Sequence, residues 1–303
     1  MSNWLRKKRK AGDITFNAIN TTVFLIFTFA CIFPFYYIFI NTISDNRIAA
    51  SGRILFLPQG IHFNNYYEIL SIKGIGLAAL VSVARTLAGT LATLLGSSFL
   101  GYVFCKKEYW GRKFWYRFVI VAMYFNAGLI PGFVTIKNLG LMDNFLVYIL
   151  PATVVPFNVI LFKTYVEQLP PSLEESVQID GGGYFVRFFK IIIPLSAPIL
   201  ATIAVFSCTA QWNAFLDTLL YMNTSKLQTL QFVLYQYLNK VNALAALMRT
   251  SQGRRNITDV TRVLTPVSIR MTISFVVVVP ILFAYPYLQR YFVKGFMIGS
   301  IKG

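Results

Sequence analysis

The 303 residues are 56% apolar and 16% aromatic but only 13% charged, about half the roughly 25% charged fraction of soluble domains. With a mean hydropathy of +0.60, this excludes a soluble enzyme, and it excludes disorder, which needs low hydrophobicity and high charge. The 28 basic and 11 acidic residues, net +17, fit basic flanks at the cytoplasmic face of a membrane better than a nucleic-acid surface.

Crossing a bilayer takes about 20 mostly apolar residues, because backbone amides in hydrocarbon must be satisfied within a helix. Apolar runs of that kind predict six spans, near residues 19–43, 80–104, 118–135, 146–166, 195–220 and 269–288. The second is rich in small residues, among them Gly89, Gly96 and Gly101, which let helices approach closely. Pro34, Pro131, Pro151, Pro156, Pro280 and Pro286 lie within or at the ends of spans, and each removes a backbone donor and invites a kink. Cys31, Cys105 and Cys208 are odd in number and His62 is the single histidine, so neither a disulfide framework nor a metal site follows. The expected fold is an all-α membrane protein.

Orientation follows from the basic residues. Arg6, Lys7, Lys8, Arg9 and Lys10 precede the first span, and Lys106, Lys107, Arg112, Lys113 and Arg117 separate the second from the third. Six spans and the positive-inside rule put both segments and both termini in the cytoplasm. The stretch from 222 to 266, with Lys226, Lys240, Arg249, Arg254, Arg255 and Arg262, then lies outside; residues 227–248 within it have helical spacing and an apolar side. That side either caps the domain or meets another protein. The division expected is a basic tail at 1–17, a membrane domain at 18–290 and a tail at 291–303. No internal repeat is visible.

The cytoplasmic stretch from 168 to 200 carries the chemistry. Pro170 and Pro171 end what precedes, and Ser172 with Glu175 reads as a capping box. Leu173 and Val177 share a face, Asp180 follows, and Gly181, Gly182 and Gly183 stop the helix. Arg187 and Lys190 then mark the approach to the bilayer, and Pro194 opens the next span. This predicts a short amphipathic helix near 172–182, held between two spans. The chain has no Gly-x-x-x-x-Gly-Lys-Ser/Thr segment to cradle phosphate, so any nucleotide energy must arrive by contact.

Glu175, Gly181, Ile191, Ile193 and Pro194 have the spacing of the E-A-A, G, I-x-L-P signature, with Ser176 and Val177 for the alanines and Ile193 for the leucine. The chain therefore resembles the integral membrane subunits of binding-protein-dependent ABC importers. Asp180–Gly181 resembles the I-D-G form of carbohydrate importers. FNAGLIPGF at 125–133, KNLGLMDN at 137–144 and the ending YPYLQRYFVKGFMIGSIKG are similar to oligosaccharide permeases related to the smaller permease of the maltose system, above all the lipoprotein/polysaccharide subgroup. The resemblance implies a type I ABC importer permease fold in a bacterial cytoplasmic membrane. It also implies a second permease, two ATPase subunits that hold ATP and Mg, an extracytoplasmic solute-binding protein and a sugar substrate. No cofactor is then bound by this chain. Contact with the ATPases falls on Leu173 and Val177 by apolar docking, on Glu174, Glu175 and Asp180 by polar contacts, and on Gly181 as the chain reversal.

Polar groups inside spans face a cavity or a neighbouring helix. Tyr124, Asn126, Asn158, Gln211, Trp212, Asn213 and Asp217 either line a sugar pathway or hold helices together, and Trp212 with Asn213 offers the aromatic face and amide that a sugar needs. Arg85, in the second span, reads as paired or snorkelling. Competing classes are a permease for a non-sugar solute and an ion-driven transporter, which usually shows repeated halves and intramembrane charges. A membrane enzyme is disfavoured because no nucleophile–base constellation is present.

Overall fold

A computed structural model describes residues 11–125, 127–249 and 266–299. All regular structure among the described residues is helical. The basic cluster from Arg6 to Lys10, Asn126, and Arg254, Arg255 and Arg262 lie outside them, as do residues 300–303. The chain forms two compact units, Met1–Ile69 with Lys240–Val276, and Leu70–Asn239 with Val277–Gly303.

The first unit opens with α1 (Ala11–Thr42), a helix apolar on every side. Phe24, Leu25, Ile26 and Phe27 follow one another and are all exposed, the pattern of a helix whose surroundings are lipid or protein rather than water. At its end Asp45 caps α2 (Asn46–Ala50), accepting from the Arg47 and Ile48 amides at 2.8 and 3.3 Å. The following loop returns to the same place, where Ser44 Oγ accepts from the Gln59 amide at 3.1 Å. In α3 (Asn64–Leu70), Asn65 Nδ2 donates to the Thr42 carbonyl at 2.8 Å. Ile40, Ala49 and Ile54 fill the small core.

The second unit is built on α4 (Ile75–Cys105), the longest uninterrupted helix wholly within it. Then come α5 (Arg112–Tyr124), α6 (Leu129–Asn138), two 3-10 turns (Phe145–Tyr148 and Leu150–Ala152) and α7 (Pro156–Val166). They are followed by α8 (Ser172–Ile179), α9 (Tyr184–Arg187), a π turn (Phe188–Ile192), α10 (Ile193–Leu195), α11 (Ala197–Asn213) and α12 (Leu216–Tyr221). Finally α13 (Leu230–Arg249) and α14 (Pro266–Gly299) each have residues in both units. Helix α4 packs against α7 and α11 through its glycines. A Cβ at Gly96 would stand 2.5 Å from the Thr153 carbonyl oxygen, and one at Gly101 would stand 2.9 Å from the Val159 carbonyl oxygen. The small residues of the second predicted span thus set the helix spacing, as expected.

Among the described residues, three helices, Thr15–Thr42, Ile75–Cys105 and Pro266–Phe283 within α14, are long and apolar enough to cross a membrane alone, and up to five segments if each bent pair counts as one. The fourth expected span is such a pair, bent by 45° between the 3-10 turns and α7, where Pro151 and Pro156 interrupt the ladder. The fifth is bent by 80° between Leu195 and Ala197. It starts at Tyr184, earlier than residue 195, because the π turn and Pro194 carry the helix into a corner rather than opening a straight span. The third is divided between α5 and α6. Gly128 has φ +88 and ψ 179, a conformation open essentially to glycine alone. Helix α14 runs on to Gly299, so no helix end marks the expected boundary near 290.

Candidate functional site

Helix α8 is two-sided. Its start differs from the expected capping box: the Leu173 amide donates to the Pro170 carbonyl at 3.2 Å, and the Glu174 and Glu175 amides donate to that of Pro171 at 3.0 and 3.1 Å. The proline pair makes the first turn, so Ser172 already lies within the helix and its hydroxyl caps nothing. The end is as expected. Gly181 has φ +79, its amide donates to Gln178 O at 3.1 Å, and the Gly182 amide donates to Val177 O at 2.8 Å, which is a Schellman turn.

One face of α8 is fixed to the rest of the second unit. Glu174 Oε2 accepts from Tyr102 Oη at 2.9 Å and pairs with Lys106 Nζ. Gln178 Oε1 accepts from Arg187 Nη1 at 3.3 Å. Val177 is half-buried above Gly182. The opposite face presents Ser172, Glu175, Ser176 and Ile179, the last 86% exposed. Leu173 lies at its edge and Asp180 and Gly181 are exposed beyond it. Ile179, which the sequence pattern did not single out, is the most exposed apolar group of α8, and Leu173 is exposed as well; helical spacing from Glu175 by four residues was the signal available for Ile179. Arg187 is buried over the Tyr184 ring, while Lys190 is exposed.

Beside α8, Arg112 Nη2 lies 3.1 Å from Glu167 Oε1, and Lys163 Nζ lies 2.6 Å from Glu167 Oε2. The segment after α4 and the segment after α7, basic and acidic respectively, are thus joined at one end of the unit.

A second constellation lies along α4, α11 and α12. Arg85, only 2% exposed, donates from Nε and Nη2 to Gln211 Oε1 at 3.1 and 2.9 Å. Its Nη1 donates to Ala214 O at 3.3 Å and Asp217 Oδ1 at 3.1 Å, and Nη2 donates to Asp217 Oδ2 at 2.5 Å. The guanidinium also sits 4.2 Å from the centre of the Tyr148 ring, and Gln211 Nε2 donates to Tyr148 O at 2.9 Å. All five N–H groups of Arg85 are satisfied. These residues border a cleft of about 560 Å³, shared with Pro131, Thr135 and Ser207, within the size range of small-molecule sites.

Of the residues expected on a sugar pathway, Gln211 and Asp217 border this cleft. Trp212 is half-buried and its Nε1 donates to Val277 O at 3.1 Å. Asn158 is buried within α7, Asn213 is exposed and Tyr124 is 80% exposed; Asn126 lies outside the described residues. Neither Trp212 nor Asn213 lines this cleft.

No family model matches the chain. It is 32% identical over 279 residues to the polygalacturonan/rhamnogalacturonan transport system permease protein YtcP of Bacillus subtilis, covering 92% of this chain and 95% of that one. It is 35% identical over 272 residues to protein LplC of the same organism, covering 90% of each. The chain belongs to the carbohydrate ABC transporter permeases. The arabinooligosaccharides transport system permease protein AraQ of Halalkalibacterium halodurans is 27% identical over 98% of this permease and 100% of its own length. A crystal structure of a bacterial ABC transporter involved in the import of the acidic polysaccharide alginate matches with a TM-score of 0.78 at 27% identity, covering 93% of this permease and 98% of that chain. The permease is thus an integral membrane, non-catalytic subunit of a transport system, and its all-helical fold is that of an ABC importer permease.

Proposed function

We propose that this permease moves an oligosaccharide across the bacterial cytoplasmic membrane by alternating access, driven by two partner ATPase subunits that dock on the outward face of α8. The observation that carries this is the two-sidedness of α8: Glu174 and Gln178 fasten one face to the chain, while Glu175 and Ile179 on the other are exposed. A two-turn helix is too short to stand alone in water, so a helix held this way suits a lever between two bodies. Closure of the ATPases around ATP and Mg would displace α8 and shift the bundle between two openings, a two-state change driven by differential binding.

Six crossings with both termini cytoplasmic follow if α5 with α6 forms the third and each bent pair forms one. A basic tail at 1–17, a membrane domain at 18–290 and a tail at 291–303 complete the division. The pairing of Arg112 with Glu167 and of Lys106 with Glu174 supports one shared side for the two loops. A second permease and an extracytoplasmic solute-binding protein complete the assembly. The relatives are named for cargoes from polygalacturonan and rhamnogalacturonan to arabinooligosaccharides, which supports a carbohydrate cargo rather than another solute.

The test is ATP hydrolysis by the purified assembly in lipid. Hydrolysis stimulated by the binding protein loaded with an oligosaccharide is the expected result. An assembly that contains no ATPase, or one driven by an ion gradient alone, contradicts the proposal.

A further inference from the structure

Glu174 and Glu175 are adjacent carboxylates on opposite faces of α8. Glu175 is exposed, whereas Glu174 accepts from the buried Tyr102 hydroxyl and pairs with Lys106, whose Nζ lies 4.3 Å from the centre of the Tyr102 ring. Both partners sit at the end of α4. That helix is continuous over 31 residues, about 46 Å at 1.5 Å per residue. Its neighbours differ in kind: the segments containing α7 and α11 are bent by 45° and 80°, and a bent segment absorbs displacement that a straight one transmits. About 25 Å along α4 from Tyr102, Arg85 grips Gln211 and Asp217 at the cleft.

We infer that Glu174 is a positioning residue that fastens α8 to α4, making α4 the rod by which movement of α8 reaches the Arg85 clasp and the cleft. This rests on α8 being the segment the ATPases move. It assigns Glu174 to the interior of the chain and leaves Glu175 to the partner. The physical warrant is one stiff element held by charged contacts at two places, one beside the lever and one beside the cavity. Both side chains of the Glu174–Lys106 pair are mostly buried, at 19% and 17% exposure, so water replaces them poorly when the pair is broken.

The experiment uses the assembled transporter in proteoliposomes, with Ser207→Cys at the cleft labelled by a membrane-impermeant maleimide, with and without vanadate and ATP. Ser207 borders the cleft. We expect Glu174→Lys and Lys106→Glu each to retain the ATPase subunits through purification yet to lose about fivefold of the vanadate-dependent change in labelling. The double swap, Glu174→Lys with Lys106→Glu, restores the change to within about twofold, because it rebuilds an opposite-charge pair at the same place. A full labelling change in both single variants, or no recovery in the swap, overturns the inference. Loss of the ATPase subunits from Glu174→Lys also overturns it, since Glu174 would then be an intersubunit contact. Failure of the underlying assignment has its own signature: an otherwise unsubstituted chain with Ile179→Cys forms no cross-link to an ATPase subunit, and both proposals fall.

Discussion

The Arg85 guanidinium and the Asp217 carboxylate meet at 2.5 Å, joining α4 to α12 where the cleft opens. Gln211 and the Ala214 carbonyl take the remaining donors, so the cation makes no demand on water or substrate. Asp217 also accepts from the Thr218 amide at 2.8 Å through Oδ1, which steadies the first turn of α12.

Removing one partner of a buried pair leaves the other uncompensated. Arg85→Met is expected to lower stability by about 3 kcal/mol, read as a fall in the thermal midpoint of the purified permease assembly. Asp217→Asn retains an acceptor for Arg85 and Thr218, so its loss is smaller. Equal midpoints for Arg85→Met and the unsubstituted protein would contradict the clasp.

Close packing on α4 makes a graded prediction. Gly96→Ala drives a methyl group against the Thr153 backbone carbonyl, whereas Gly76 has nothing within 4 Å of a Cβ. Gly96→Ala should cost about 1–3 kcal/mol by overpacking and Gly76→Ala should not lower stability. Denaturation in detergent micelles, measured side by side, decides between them.

The turn after α8 separates backbone from steric effects. Gly181 has open space but φ +79, whereas a Cβ at Gly182 would stand 2.9 Å from the Val177 carbonyl oxygen. Gly181→Asn should be tolerated better than Gly181→Val, because Asn visits the left-handed region and a β-branched residue does so rarely. The penalty for Gly181→Val is about 1 kcal/mol or more. Its readout is lost ATPase stimulation with normal membrane insertion. Gly182→Ala should impair stimulation by crowding alone. Full stimulation in Gly181→Val would remove the turn from the coupling pathway.

Asp143 supplies a pH-dependent clip between the loop after α6 and the loop after α12. Its carboxylate accepts from the Thr224 and Asn223 amides at 2.8 and 3.0 Å and from Thr224 Oγ1 at 2.8 Å. The Thr224 amide bond, first among these, holds its pKa below the usual 3.8. A lowered folded pKa means stability fully present above about 3.8 and lost as pH falls through the lowered value. Protection of the Thr224 amide, taken relative to its intrinsic exchange rate at each pH, should therefore hold at neutral pH and fall in strong acid, and Asp143→Asn should weaken protection at neutral pH. Unaltered protection in that variant would show that the carboxylate is not the clip.

Elements with a strong local cause were legible in the sequence. The apolar runs of α1 and α4, the glycine stop after Asp180 and the close approach at Gly96 and Gly101 all follow from side-chain size, hydropathy or backbone freedom. The breaks were not. The 80° corner before Ala197 depends on a π turn, and hydropathy cannot distinguish an apolar corner from an apolar rod. The rotation of α8 was also hidden: Leu173 and Val177 share a helical face in sequence, but the tertiary partners Tyr102, Lys106 and Arg187 select which side turns inward. Arg85 was expected to be paired or snorkelling, and the partners that settle it lie on α11 and the residues after it, more than a hundred positions along the chain.

The most direct measurement is cross-linking from Ile179→Cys on the outward face of α8 to the ATPase subunits in native membranes, with Val177→Cys on the inward side as reference. The expected result is a nucleotide-sensitive cross-link from position 179 and little or none from 177. A position 179 that reacts only with reagents outside the cell, or that never joins an ATPase subunit, would contradict the assignment of α8 as the part on which nucleotide energy acts.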